Sequence, residues 1–210
     1  MMLRKVLLIC GVVSSILYVA TDILASLGYQ GYSYRDQAYS ELLATGSPVR
    51  PAMLIVAIIY NLLVAAFAIG IWLSVGPKRT RRITGAMIIG YAALSLVTPM
   101  FFQMDMRGAE TTPLGNLHAP MTAVMSLFIL LSIGFGAFLV GRRFRLYSFA
   151  TIIILIVFGA LTAVQSPQLT SGQLTPWIGI TERINIYSTM LWLAILSINL
   201  LRAQNTNTSR

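Results

Sequence analysis

The residues best suited to acid–base chemistry lie in one segment, QMDMRGAETTPLGNLHAP, which contains the chain's single histidine, His118. Pro120 predicts a helix that begins near His118, and the positive end of a helix dipole favours a neutral imidazole able to accept a proton. One interpretation is a catalytic acid or base, His118, oriented by Asp105 or Glu110. The alternative is a histidine that hydrogen-bonds a loop carbonyl or carboxylate and fixes the turn.

Two arginines near these acids, Arg107 and Arg183, could hold a phosphate or carboxylate group. The alternative for Arg183 is a structural ion pair with Asp105, Glu110 or Glu41. Four further polar residues are candidates for the same ligand site: Glu182, Glu41, Ser40 and Asn116.

One more carboxylate, Asp22, lies inside an apolar segment. Polar side chains recur at every fourth position around it and therefore share one helix face: Ser14, Tyr18, Asp22 and Ser26. A carboxylate within a membrane is costly and indicates function by default, here the coupling of a proton or ion. The alternative is a buried aspartate that fixes packing against Tyr60 or Asn61.

The elements that position these residues follow from composition. Of 210 residues, 57% are hydrophobic and 10% are charged, which is far too few charges for the surface of a soluble domain. The sequence therefore predicts an all-α membrane protein, a single domain over 1–202 with a polar cytoplasmic tail over 203–210. Six apolar runs are each near the ~20 residues that cross a bilayer: Val6–Leu27, Ala52–Val75, Ile83–Phe102, Ala119–Gly141, Leu146–Gln165 and Ile184–Leu201.

The distribution of charge predicts the orientation. Eleven of the fifteen Lys and Arg residues lie at the termini or in the second–third and fourth–fifth connections. Every acidic residue lies on the opposite side. The positive-inside rule therefore predicts both termini in the cytoplasm, within the cell membrane, and three long outer loops that carry the polar candidates.

Several other chemistries are not expected. The chain has one cysteine, Cys10, and lacks the histidine and cysteine pairs of transition-metal sites. Phosphate-binding glycine loops and nucleophile elbows are also missing from the sequence. We therefore expect no metal or cofactor. Nucleic acid is not an expected partner either, because the positive charge is split among membrane-flanking segments. Membrane lipids are expected partners.

Three segments resemble the pattern of an uncharacterised bacterial and archaeal membrane family, DUF998: YSELLATGSPVRP, DMRGAETTPLGNLHAPM and GITERI. The resemblance extends over nearly the whole chain. It implies a protein of about six spans but no established reaction. The residues that match the family pattern are Ser40, Glu41, Gly46, Pro48, Asp105, Thr112, Gly115, His118, Gly179, Glu182 and Arg183.

Three functions are compatible with the sequence. The first is a non-enzymatic membrane protein whose outer site binds a lipid headgroup or small amphiphile through Arg107, Arg183 and neighbouring acids. The second is an enzyme acting on a lipid-like substrate with His118 as acid or base and Arg183 steadying negative charge. The third is a carrier coupled through Asp22.

Overall fold

The computed structural model describes residues 2–74 and 76–208, with side chains described as far as Gln204. Six long helices contain most of these residues, and the described part of the chain includes no β-strand. The helices are α1 (Met2–Gly28), α2 (Arg50–Trp72), α3 (Lys78–Phe101), α4 (His118–Gly136), α5 (Arg142–Thr170) and α6 (Ile178–Thr208). All six are long and apolar enough to span a membrane. The predicted multi-pass helical architecture is confirmed.

The ends of the helices differ from the predicted spans. Helix α6 begins at Ile178 instead of Ile184, and α4 ends at Gly136 instead of Gly141. The start of α6 was placed too late because Glu182 and Arg183 are charged, yet both are held by protein partners inside the bundle. Helix α6 also continues as far as Thr208, through most of the predicted tail. Val75 and Arg210, which belong to the predicted second span and tail, lie outside the described residues.

Consecutive helices run in opposite directions, so the connections gather at two ends. One end, which we call the basic end, contains the N-terminus and the short α2–α3 and α4–α5 connections. The other, the loop end, contains three longer connections: loop 1 (29–49), loop 2 (102–117) and loop 3 (171–177). Loop 1 includes a short 3₁₀ helix, Tyr39–Leu43, and loop 2 includes another, Gly115–Leu117. The candidate residues of loops 1 to 3 are therefore brought to one end of the bundle.

The helices form a ring in the order α4–α3–α2–α1–α6–α5, and α5 meets α4 more weakly to close it. The core is continuous through the middle of this ring and is filled by large side chains, including Tyr60, Phe67, Ile133 and Trp192. Gly70 allows α2 to approach the backbone of α1 at Leu7, where an added Cβ would lie 3.0 Å from the Leu7 carbonyl carbon. Close packing of this kind is typical of membrane helices.

The packing is uneven at the loop end. The buried residues of α4 all lie in its half nearer the basic end: Ile129, Ser132, Ile133 and Gly136. In α5 the buried residues also begin at the basic end, and Leu169 alone is buried near the other tip. Helices α1, α2, α3 and α6 therefore provide most of the packed framework beneath loops 1 to 3.

Candidate functional site

The central feature of the loop end is an ion pair between Asp22 of α1 and Arg183 of α6. Arg183 Nε lies 2.8 Å from Asp22 Oδ2, and Nη2 lies 2.8 Å from Oδ1. The side chain of Asp22 is 0% exposed and that of Arg183 is 3% exposed. The Asp22 face of α1 lies inside the bundle, since Asp22 and Ser14 are both buried.

The predicted partners of both residues were wrong. Arg183 does not pair with Asp105, Glu110 or Glu41, because α6 begins early enough to place Arg183 inside the helix at the depth of Asp22. Asp22 accepts hydrogen bonds from Arg183, Ser26 and Tyr187, and not from Tyr60 or Asn61.

Every N–H group of Arg183 has an acceptor within the protein. Beyond Asp22, Nη2 donates to Ser26 Oγ at 3.1 Å and to the Tyr32 hydroxyl at 2.9 Å. Nη1 donates to the carbonyl oxygens of Tyr34 at 2.9 Å and of Gly179 at 3.3 Å. The guanidinium also stacks on the Tyr34 ring, 3.7 Å from its centroid. Arg183 thus fixes loop 1 onto α1 and α6 and keeps no N–H group for an external anion.

A short chain of hydroxyl groups extends from this ion pair. Tyr187 donates its hydroxyl proton to Asp22 Oδ2 at 2.6 Å. The Tyr187 oxygen lies 2.8 Å from the hydroxyl oxygen of Tyr34. Asp22 is therefore connected through two phenols to the surface formed by loop 1 and α6.

These phenols line an open groove along α6, which we call the α6 groove. Its volume is about 380 Å³, within the range of small-molecule sites. The lining residues are Tyr34, Ile180, Arg183, Ile184, Tyr187, Ser188 and Leu191. Between Ile180 and Leu191 the helix rises about 16 Å at 1.5 Å per residue. The groove thus combines the hydrogen-bonded phenols of Tyr34 and Tyr187, which we call the phenol pair, with apolar side chains that precede and follow Tyr187 along α6.

Loop 1 can reach this position because residue 179 is a glycine. The Gly179 N–H donates to the Arg35 carbonyl at 3.0 Å. An added Cβ would overlap the carbonyl oxygens of Tyr34 and Gln37. Any other side chain at position 179 would displace the backbone of loop 1 from α6.

Glu182 fixes the same loop from the next position of α6. Its Oε2 accepts the Tyr39 N–H at 2.5 Å, and the Ser40 N–H also donates to this carboxylate. These are unpaired N–H groups at the start of the short helix, which a carboxylate stabilises well. Glu182 and Ser40, both predicted as ligand residues, contact each other here. Thr181, one position earlier, lies inside α6 and donates to the Ile178 carbonyl.

A second ion pair, with a buried glutamate and a partly buried arginine, links the loops to one another. Arg107 of loop 2 meets Glu41 of loop 1 through Nη2–Oε1 at 2.6 Å and Nε–Oε2 at 3.1 Å. Arg107 Nη1 donates to Thr175 Oγ1 and to the Gln173 carbonyl of loop 3, and Nη2 donates to the Asp36 carbonyl. All its N–H groups are used, so Arg107 joins loops 1, 2 and 3.

Asp36 provides a more exposed link between loops 1 and 3. Its Oδ1 accepts the Trp177 N–H at 3.1 Å, and Arg35 forms an ion pair with its carboxylate at 2.9 Å. The hydrogen bond from Arg35, with a further one from the Trp177 N–H, holds the pKa of Asp36 below its ordinary value. The Arg35 guanidinium also lies over the Trp177 ring.

The histidine and its expected carboxylates are not assembled into one unit. His118 Nδ1 lies 2.8 Å from the Phe102 carbonyl oxygen. This contact agrees with the alternative interpretation from the sequence, a histidine that hydrogen-bonds a loop carbonyl and fixes the turn. Asp105 accepts the N–H of Thr112 at 2.8 Å, and its carboxylate sits against Gly115. Glu110 and Asn116 are exposed. Because a carbonyl only accepts, Nδ1 carries the proton, and the neutral ring keeps an unprotonated Nε2.

Two components of the site were missed by the sequence reasoning. Neither Tyr34 nor Tyr187 was among the predicted site residues. A signal was present: Ile180, Ile184, Tyr187 and Leu191 recur at helical spacing as an apolar stripe with one phenol. Among the described residues, no three His, Cys, Asp or Glu side chains lie close enough together to hold a metal ion.

Comparison with known proteins identifies the family. The family model described as "Protein of unknown function (DUF998)" matches residues 12–199. The chain belongs to the DUF998 family. No curated protein and no solved structure matches it. In this DUF998 protein the residues that carried the resemblance lie at the loop end, where Glu182 contacts Ser40, Asp105 contacts Thr112, and Gly179 contacts loop 1.

Proposed function

We propose that this protein binds a single amphiphile in the α6 groove. The observation that carries the proposal is that one groove contains both the phenol pair of Tyr34 and Tyr187 and an apolar wall formed by Ile180, Ile184 and Leu191. An amphiphile places its headgroup at the phenols and its chain along the wall. Because the surrounding lipid chains are as apolar as the wall, van der Waals packing, and not transfer from water, would hold the chain there.

In this proposal the two arginines shape the site and do not bind the headgroup directly. All N–H groups of Arg183 and Arg107 already have acceptors in the protein. An anionic headgroup would have to break buried ion pairs, which costs several kcal/mol. The role of Arg183, with Asp22, is to hold Tyr187 and Tyr34 in place in the groove.

We further propose that the loop end faces the outside of the cell membrane, with both termini in the cytoplasm. The clustering of Lys and Arg at the basic end supports this orientation. A cysteine placed at Glu110, which is exposed in loop 2, should react with a membrane-impermeant maleimide on intact cells. A cysteine at exposed Arg143 should react only after lysis. The native Cys10 is replaced by serine in both variants.

The binding proposal is tested by mass spectrometry of lipids that remain bound after mild detergent extraction. Ile184→Trp fills the groove, and Ile153→Trp adds the same bulk at an exposed position on α5. The wild type and Ile153→Trp should retain a defined species that Ile184→Trp lacks. Identical lipid spectra from all three proteins would contradict the proposal.

A second candidate, an enzyme acting on a lipid-like substrate, is favoured by one observation. The Phe102 carbonyl holds His118 Nδ1–H and leaves Nε2 as the basic nitrogen. If His118 acts as a base, His118→Ala should accumulate an unconverted species that the wild type does not retain. Equal lipid contents in both proteins would remove this candidate.

A further inference from the structure

The hydrogen bonds that join Tyr34, Tyr187 and Asp22 beside the α6 groove have a fixed direction. Asp22 bonds two N–H groups of Arg183, so its carboxylate is ionised and can only accept. Tyr187 must therefore donate its single hydroxyl proton to Asp22, whose Oδ2 lies 2.6 Å from the Tyr187 oxygen. The bond between the two phenols, at 2.8 Å, must then be donated by Tyr34 to the Tyr187 oxygen.

This direction leaves Tyr34 without a proton for a ligand. Its hydroxyl oxygen retains accepting capacity, and the ionised Asp22 at the end of the chain polarises the hydroxyls in the same sense. A headgroup therefore gains a hydrogen bond from the Tyr34 hydroxyl only if it donates one. Ethers, esters and ionised phosphates that offer acceptors alone gain none from Tyr34.

Charge narrows the headgroup further. The guanidinium of Arg183 lies 3.7 Å from the centroid of the Tyr34 ring, which disfavours a cationic ammonium head beside that ring. Anionic heads find no free N–H group on Arg183. A neutral hydroxyl group satisfies both conditions.

We propose that the α6 groove selects an uncharged amphiphile with a hydroxyl headgroup, a lipid alcohol, because the Tyr34–Tyr187–Asp22 chain presents a hydrogen-bond acceptor to the ligand. The inference rests on the proposed binding function and names its ligand class. Long-chain alcohols and acylglycerols share this hydroxyl chemistry.

The test is competition for the purified protein in lipid nanodiscs, with radiolabelled dodecanol as the probe. Competitors with the same chain are dodecanol, methyl dodecyl ether, dodecylamine, dodecyl phosphate and monolauroylglycerol. Dodecanol should compete about tenfold better than the ether, which cannot donate. Monolauroylglycerol should compete at least as well as dodecanol if the natural ligand is an acylglycerol, and more weakly if it is a simple alcohol.

One substitution should abolish the selectivity. Tyr187→Phe removes the acceptor for the Tyr34 proton, so Tyr34 becomes free to donate and the ether should approach the alcohol in affinity. Tyr29→Phe, which changes a phenol of loop 1 outside the groove lining, should preserve the tenfold preference. Equal competition by alcohol and ether in the wild type would overturn the ligand class, and it does not depend on any variant folding. Ile184→Trp distinguishes the binding site from its ligand class. If this variant loses dodecanol binding while alcohol and ether compete equally for the wild type, the groove is the binding site but does not select a hydroxyl group.

Discussion

The carboxylate of Asp22 and the guanidinium of Arg183 face each other across the α1–α6 interface, joined by two hydrogen bonds of 2.8 Å each. This pair also holds Tyr187, Tyr32 and the backbone of Tyr34. Ion pairs buried to this degree add little net stability, because both charges lose their hydration. Here the pair fixes loop 1 against α6 and thereby positions the Tyr34 and Tyr187 phenols in the groove.

Breaking the pair from one side should be costly. Asp22→Asn leaves the buried Arg183 guanidinium without a counter-charge and should lower the free energy of unfolding by about 3–5 kcal/mol. The double substitution Asp22→Leu/Arg183→Met removes both charges and should recover much of that loss. Thermal unfolding in one detergent compares the three proteins. An unchanged melting temperature for Asp22→Asn would show that the pair is not formed.

The glycine beneath loop 1 should not tolerate a methyl group. Gly179→Ala forces the new Cβ against the Tyr34 and Gln37 carbonyls, so we expect destabilisation by about 1–3 kcal/mol and loosening of loop 1. Gly134→Ala is the matched control, because no atom lies within 4 Å of its added Cβ. It should be neutral or stabilising, since alanine favours a helix by about 1 kcal/mol over glycine. Equal effects at the two positions would contradict the contact.

The link between the loops should depend on the planar guanidinium of Arg107, which donates several hydrogen bonds at once. Arg107→Lys keeps the charge but cannot reach Glu41, Thr175 and the loop carbonyls together. Hydrogen exchange should rise in loops 1, 2 and 3 at once, while α1 and α6 stay protected. Arg35→Lys, in an ion pair whose arginine is 60% exposed, should change exchange little. Faster exchange confined to loop 2 would mean that Arg107 does not join the loops.

Acid should loosen the contact between loops 1 and 3. The pKa of Asp36 is lowered in the folded protein by Arg35 and the Trp177 N–H. A lowered pKa contributes stability above the ordinary carboxyl value, and this contribution disappears as the pH falls through the folded value. Protection of the Trp177 amide, corrected for intrinsic exchange, should therefore decrease over that acidic range. Asp36→Asn should abolish the dependence, and an unaltered pH profile in that variant would contradict the assignment.

The sequence was sufficient to predict the number of helices and the gathering of Glu41, Arg107, Glu182 and Arg183 at one end. Hydropathy determines the number of helices, and because successive spans cross in opposite directions, alternate connections lie at the same end. The partner of Arg183 could not be derived, because it depends on where α6 begins, and hydropathy places helix ends at the nearest charges. The groove could not be predicted either, because the position of Tyr34 depends on how loop 1 packs against Gly179.

The most direct test of amphiphile binding is photolabelling in nanodiscs with a dodecanol analogue that carries a diazirine in its chain. Labelled peptides should map to 180–191 of α6, and excess unlabelled dodecanol should abolish that labelling in the wild type. Ile184→Trp should lose it, and Ile153→Trp should retain it. Labelling spread over the exposed apolar faces of all six helices, and insensitive to competitor, would show that the α6 groove holds no specific ligand.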